Sequence, residues 1–300
     1  MKKIFKKDKQ AISYHYDLSA DFYRLFLGDY MVYSCAYFEK GDEDINTAQL
    51  KKMEYICRKL NLKGGENLLD IGCGFGALII YASKNYQVKS YGITLSDVQY
   101  SYAKDWIKRE GLEELCTVEL KDYRELEGKN KFDKIVSVGM FEHVGIKNLV
   151  KYFEIVKGLL KDNGLFLNHG ITVDGMTKRR GPGTKFMNTF VFPRGELTNI
   201  GYINHIMEKV GFEILDVESL RLHYAKTLKI WRDSLEENRE KALEIVGERI
   251  YRIWNLYMAA CAHGFEKGNI NIYQVLLSKV RSGVKHIPLT RAHLYTKSYI

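Results

Sequence analysis

From residue 67 onward the chain alternates between short apolar runs and longer stretches in which apolar residues recur every three or four positions, the signatures of buried strands and of helices with one apolar face. Residues 67–71 read as a strand; after glycines at 72, 74 and 76 the run Ala77-Leu78-Ile79-Ile80-Tyr81-Ala82 opens a helix. A second strand is predicted over 89–95, a helix over 97–110, a third strand over 116–120 and a fourth over 131–138. A helix over 148–160 and a fifth strand over 165–172, opened by Asn163-Gly164, complete an alternation that predicts an α/β fold with a parallel, right-handed sheet.

The flanks read differently. Residues 12–60 are aromatic and helical, with one helix over 14–28 stopped by Gly28, a small-residue turn over 31–38 and a second helix over 45–62. From 173 to 267 the alternation relaxes into a basic loop, a helix over 196–211, a strand over 212–220 and a long charged amphipathic helical region over 223–266. That region is expected to form a lid inserted before a final strand over 271–280. The expected organisation is an N-terminal helical lobe (1–60) covering the ligand, a Rossmann-like core (61–172), a substrate loop with helix, strand and lid (173–267), and a final strand with a basic tail (268–300) in the same domain.

At 300 residues the chain has room for one full α/β core plus insertions. Its five cysteines (Cys35, Cys57, Cys73, Cys116, Cys261) are scattered without C-x-x-C pairs, so neither a zinc site nor a disulfide framework is expected and a reducing cytoplasm fits. No signal peptide and no spanning helix are expected, since no apolar run of about 18 residues occurs. The net charge of +9 is uneven: Lys2, Lys3, Lys6, Lys7 and Lys9 crowd the start, Lys178-Arg179-Arg180 and Lys185 mark a loop, and no acid follows Glu266. Nucleic acid, an anionic membrane or plain solvation would each suit that pattern; the lack of an aromatic-interleaved binding stretch argues against nucleic acid.

The candidate chemistry centres on Asp70-Ile71-Gly72-Cys73-Gly74-Phe75-Gly76, where a carboxylate closes the first strand and glycines precede a helix start. Such a loop cradles a nucleotide-bearing cofactor, because a helix start offers unpaired N–H groups and glycine permits close approach. Gly72, Gly74 and Ala77, with Asp97, also satisfy a dinucleotide pattern. Asp70 inside the strand end argues instead for a ligand bearing an ammonium group, as S-adenosylmethionine does. Ligands of such sheets bind at the carboxyl ends of the strands, where the polar residues are Asp70, Thr94, Asp122, Glu142 and His169.

The block 131–145, with Phe141-Glu142-His143-Val144-Gly145 at its end, closely resembles the cyclopropane fatty acid synthase family, which includes the mycolic acid cyclopropane synthases. Further matching blocks are Tyr33-Ser34-Cys35-Ala36-Tyr37, the loop 69–76, Ile93-Thr94-Leu95-Ser96 with Gln99, Phe192-Pro193 and Ile272-Tyr273-Gln274-Val275. The resemblance implies a class I methyltransferase sheet with N-terminal helices and an inserted helical lid. Implied cofactor contacts for S-adenosylmethionine are Tyr33, Ser34, Gly72, Gly74, Thr94, Gln99, Asp122, Tyr123 and Gly139; Asp70 and Gly76 of the loop join them on the reasoning above.

Members of that family methylate the cis double bond of an acyl chain and close a cyclopropane ring, with a bicarbonate ion as base. The resemblance places that ion at the backbone of Cys35 and Ile171 and the side chains of Glu142, His169 and Tyr224, and it marks Cys261 as a thiol typical of the family. The chemistry gives a nucleophile no step, so Cys261 reads as a small neighbour of the acyl pocket. The expected substrate is a phospholipid in an anionic membrane surface, reached by a cytoplasmic, peripherally attached enzyme that does not bind nucleic acid; a homo-oligomer is compatible with the sequence. Some synthases carry a further N-terminal domain that this sequence is expected to lack. Plant-type N-methyltransferases acting on small amines or phosphoethanolamine share the Tyr-Ser-Cys and Glu-His blocks, which keeps an amine acceptor as the alternative. A non-enzymatic S-adenosylmethionine- or RNA-binding module is the remaining reading.

Overall fold

The structure is a computed structural model that describes residues 18–174, 185–191, 196–279 and 287–295. Its helices are α1 (Ala20–Leu27), α2 (Ile45–Lys59), α3 (Ala77–Tyr86), α4 (Asp97–Arg109), α5 (Leu149–Leu159), α6 (Ile200–Val210), α7 (Arg221–Glu237) and α8 (Arg239–Lys267). Strands β1 (Asn67–Ile71), β2 (Lys89–Thr94), β3 (Cys116–Leu120), β4 (Phe132–Val138), β5 (Leu160–Val173), β6 (Phe212–Ser219) and β7 (Ile270–Lys279) form one sheet in the order β3-β2-β1-β4-β5-β7-β6. The first five are parallel, while β7 runs antiparallel between β5 and β6. The chain changes its direction of travel across the sheet between β1 and β4, the place where a ligand crevice opens at the strand ends.

Successive strand residues face opposite ways, so the apolar choice at each position decides which helices cover it. Leu69, Ile71, Ile135 and Phe166 pack with Tyr152 and Phe153 of α5 and Ile203 and Met207 of α6. On the other face Leu68, Val136, Leu165 and Leu167 pack with Met53 and Ile56 of α2, with Leu60 at its C-terminal cap and with Leu78 and Ala82 of α3.

A further cluster sits above the carboxyl ends of the parallel strands. Phe22, Tyr23 and Phe26 of α1 meet Trp231 of α7 and Trp254 and Tyr257 of α8, together with Phe75 from the glycine loop and Val191. The rings meet mostly edge to face, Phe22 with Trp254 at 5.4 Å and Tyr23 with Phe75 at 5.5 Å between centroids, contacts worth about 0.5–1.5 kcal/mol each beyond the area they bury. The lid inserted before the final strand is thus present, and α1 from the chain's start is built into it. Helix α2, expected in the same N-terminal lobe, belongs to the sheet core instead.

Three elements differ from the sequence expectation. Helix α1 begins at Ala20 because Ser19 caps it, its side chain accepting from the Phe22 N–H at 3.3 Å; residues 14–17 lie outside the described residues, as do the lysines at 2–9, Lys178-Arg179-Arg180, Phe192-Pro193 and Val280. Strand β5 begins at Leu160, paired with Phe132, and runs through the polar Lys161-Asp162-Asn163. Gly164 therefore does not open the strand but passes beside β4, where a Cβ would lie 2.7 Å from the Asp133 carbonyl oxygen. The region 223–266 is two helices that meet at Asn238, the second bent at Gly247, whose φ is 74°.

Candidate active site

The glycine loop is pinned to the neighbouring strand, since the N–H groups of Gly72 and Cys73 both donate to the Ile93 carbonyl, at 3.0 and 2.9 Å. Gly72 has φ 85° and no room for a side chain, as a Cβ would lie 2.8 Å from Met140. Gly74, with φ 56°, faces open space, leaving the loop's backbone accessible. Gly76, expected among the cofactor contacts, instead lets α3 approach α4: a Cβ there would lie 2.9 Å from that of Ala103, and Gly76 is absent from the crevice wall. The other expected cofactor residues, Tyr33, Ser34, Asp70, Gly72, Gly74, Thr94, Gln99, Asp122, Tyr123 and Gly139, all line one crevice.

Within it, Thr94 donates to Gln99 Oε1 at 2.8 Å at the end of β2, and Ser96 caps α4 through the Gln99 N–H. The Asp122 carboxylate is held by Arg124, Nη2 to Oδ2 at 2.6 Å and Nε to Oδ1 at 2.9 Å, which fixes its orientation beside Tyr123. Asp70 is 3 % exposed; burial pushes its carboxyl up to about 7 against the pull of Lys52, and its Oδ1 has no partner among the described residues. Lys52, Arg124 and His143 also line the crevice and were missed by sequence reasoning. For Lys52 a signal existed: it occupies the apolar stripe of α2, between Ala48, Gln49, Met53 and Ile56, all buried. His143 is held down to about 4 by burial and is therefore neutral at ordinary pH.

The residues expected to act on the substrate lie outside that crevice wall. Phe141–His143 forms a single 3-10 turn after β4 that buries Glu142. Glu142 Oε1 accepts the Ile171 N–H at 2.6 Å, Oε2 is buried without a partner among the described residues, and burial pushes the carboxyl up to about 7. His169, on β5, is fully buried; Gln274, its register partner on β7, approaches Nδ1 with its amide nitrogen at 3.3 Å, and Nε2 has no partner among the described residues. Burial, with help from Lys52 and Lys59, holds the imidazole well below its ordinary range, so it is neutral.

Cys35 is buried in the cap cluster with Tyr224, and Ile171 and Cys261 pack against the same cluster. The loop around Cys35 is fastened from two sides: the Ala36 N–H donates to Thr227 Oγ1 at 3.0 Å, and Gln49 donates to the Ser34 carbonyl at 3.0 Å. Burial raises both thiols, that of Cys261 to about 12, so neither is a nucleophile near neutral pH. Among the described residues no group of His, Cys, Asp and Glu is arranged to hold a metal.

A mixed seven-stranded sheet in this order, a glycine loop behind a buried strand-end aspartate, and a crevice at the switch point define an S-adenosylmethionine-dependent methyltransferase of the class I fold. The family model described as mycolic acid cyclopropane synthetase matches residues 3–275, and the chain belongs to that cyclopropane synthase family. A probable fatty acid methyltransferase of Pseudomonas putida is 47% identical over 294 residues, 97% of this chain and 74% of that protein. Cyclopropane mycolic acid synthase 3 of Mycobacterium tuberculosis is 37% identical over 275 residues, 88% of this chain and 95% of that protein. The solved mycolic acid cyclopropane synthase CmaA1, complexed with SAH and CTAB, superposes with a TM-score of 0.85 at 34% identity, covering 90% of this chain and 98% of its own.

Proposed function

We propose that this enzyme transfers a methylene group from S-adenosylmethionine to a cis double bond of an unsaturated phospholipid acyl chain, closing a cyclopropane ring with bound bicarbonate as base. The observation that carries the reading is the pair of buried polar atoms without a partner among the described residues, Glu142 Oε2 and His169 Nε2. Buried polar atoms ordinarily find partners, and an unused acceptor on one residue with an unused donor on another suits a small protonated anion such as bicarbonate.

S-adenosylmethionine supplies, when bound, an electrophilic methyl on a sulfonium, and bicarbonate the base. The alkene π pair bonds to the methyl carbon while the carbon–sulfur pair leaves on sulfur, which places positive charge on the adjacent chain carbon. Loss of a proton from the new methyl frees its C–H pair to close the ring. Glu142 has Oε1 engaged by the Ile171 N–H, which leaves Oε2 to accept the proton of a bound bicarbonate, whose oxygens His169 and Tyr224 would hold as donors. The aromatic cap excludes water that would trap the cation, and its ring faces favour positive charge.

Charge supports a membrane-bound acceptor. Twelve of the 46 Lys and Arg and two of the 37 acids fall in sequence segments outside the described residues, so the described fold is close to neutral and the excess sits in those segments. No described helix is long and apolar enough to cross a membrane; attachment by basic segments to anionic headgroups is the mode that fits. The test is incubation with methyl-labelled S-adenosylmethionine and unsaturated phospholipid vesicles at several bicarbonate levels. Label in the lipid with gain of a CH₂ and loss of the double bond is expected. No label in lipid at any bicarbonate level overturns the reading, and an N-methylated product with its double bond intact moves the assignment to an amine acceptor.

A further inference from the structure

Lys52 presents a buried ammonium to the cofactor crevice without a carboxylate to neutralise it. The residue is 2 % exposed and lines the crevice with Ser34, Asp70 and Gly72. Among the described residues its sole hydrogen bond is to Ser34 Oγ at 2.9 Å, and no carboxylate oxygen lies within ion-pair distance. A lysine ammonium has three N–H donors, so two remain unused in a site where an uncompensated charge is costly. In the same crevice Asp70 offers the converse, its buried Oδ1 having no partner among the described residues. A cation and an anion, each incompletely satisfied and held by different elements, α2 and β1, are complementary to a zwitterion.

We propose that Lys52 is the residue that binds the α-carboxylate of S-adenosylmethionine, while Asp70 receives its α-ammonium. The inference concerns the methyl donor alone and stands whatever the acceptor proves to be. The charged and titratable groups that act on Lys52 are Asp70 and the Cys35 thiol. Burial holds the Lys52 ammonium down to about 8 and pushes Asp70 up to about 7, so desolvation disfavours each ion and an opposite charge on the ligand's amino-acid end favours it. Ser34 then has a defined part: its hydroxyl holds Nζ at the crevice wall, and the family block around Tyr33-Ser34 becomes a support for the lysine as well as a wall for the ligand.

The test is calorimetric titration of the purified protein with S-adenosylhomocysteine and with its decarboxylated analogue, S-adenosyl-3-thiopropylamine, which keeps the amine and loses only the carboxylate. Wild type is expected to prefer the carboxylated ligand by about tenfold or more, as for a charge-assisted hydrogen bond in a buried site. Lys52→Met is expected to lose that preference by weakening S-adenosylhomocysteine about tenfold or more while holding the analogue within about twofold. A merely structural lysine would weaken both ligands by one factor, and that result overturns the proposal. The wild-type comparison needs no variant, and equal affinity for the two ligands there also overturns it. Should Lys52→Met fail to fold, Lys52→Gln is read by the same criterion.

Discussion

A neutral imidazole has one proton to place, and at His169 the neighbouring strand decides where it goes. The Gln274 amide nitrogen faces Nδ1 at 3.3 Å; in that orientation the amide donates, Nδ1 accepts and the ring proton belongs on Nε2, the atom without a partner among the described residues. Gln274→Glu replaces that donor by an acceptor, so the proton is expected to move to Nδ1 and turnover to fall by at least about tenfold, with S-adenosylhomocysteine affinity unchanged. Nitrogen-15 shifts of labelled histidine read the tautomer directly, and the same tautomer in both proteins would remove Gln274 from the account. Glu142 carries a second residue-scale consequence. Its carboxyl titrates near 7 in the fold against an ordinary value of 4.5, so the folded form is favoured below pH 4.5 and loses that advantage as pH rises through 7. Glu142→Gln removes the charge that burial penalises, and is expected to stabilise the fold by up to about 3 kcal/mol at pH 8 and not at pH 4. The same variant should lower turnover about a hundredfold or more while binding S-adenosylhomocysteine normally. Thermal melts at the two pH values, beside a turnover assay, check both halves.

At the scale of elements, the start of the helix that follows the glycine loop lies in close contact with α4. Gly76 combines φ 90° with a Cβ position 2.9 Å from Ala103, so Gly76→Ala both strains the backbone and forces α3 from α4. A loss of about 2–4 kcal/mol is expected, read in urea denaturation, with residual cofactor affinity in whatever protein remains folded; a loss under about 0.5 kcal/mol would mean that α4 yields freely. What could be read from sequence follows the same physics. Strands β1, β2 and β4 were legible because burial on both faces makes them short apolar runs between turns, and β3, at the sheet edge, because its buried and exposed residues alternate. The start of β5 was not, because Lys161, Asp162 and Asn163 carry no apolar pattern: Lys161 pairs with Asp133 and Asp162 with Lys279 at the strand's exposed start. The break at Asn238 was invisible for a related reason: neither glycine nor proline marks it, whereas Gly247 stood in plain view inside the long helical pattern. The crevice residues that came with a family block were found, and Lys52 was not, since a lysine in an amphipathic helix reads as solvated until its face is known.

Over the whole molecule, the sheet and the cap are distinct apolar bodies joined at the carboxyl ends of the strands. Helix α1 has its burial partners in α7 and α8, so the three are expected to open together and before the sheet. Hydrogen exchange should show their amides protected as one group, less than β1, β4 and β5; independent exchange of α1 and α7 would divide the cap. The joining of the chain's first described helix to its last long ones also bears on how the protein is born. Phe22, Tyr23 and Phe26 leave the ribosome first, yet Trp231 and Trp254 follow only after every strand but β7 has been made. At about 5–20 residues per second that is a wait of about 10 to 40 s with three aromatic rings unburied. Nascent chains on crowded polysomes would meet one another through this helix, so its shielding during translation governs how much of the enzyme reaches the folded state.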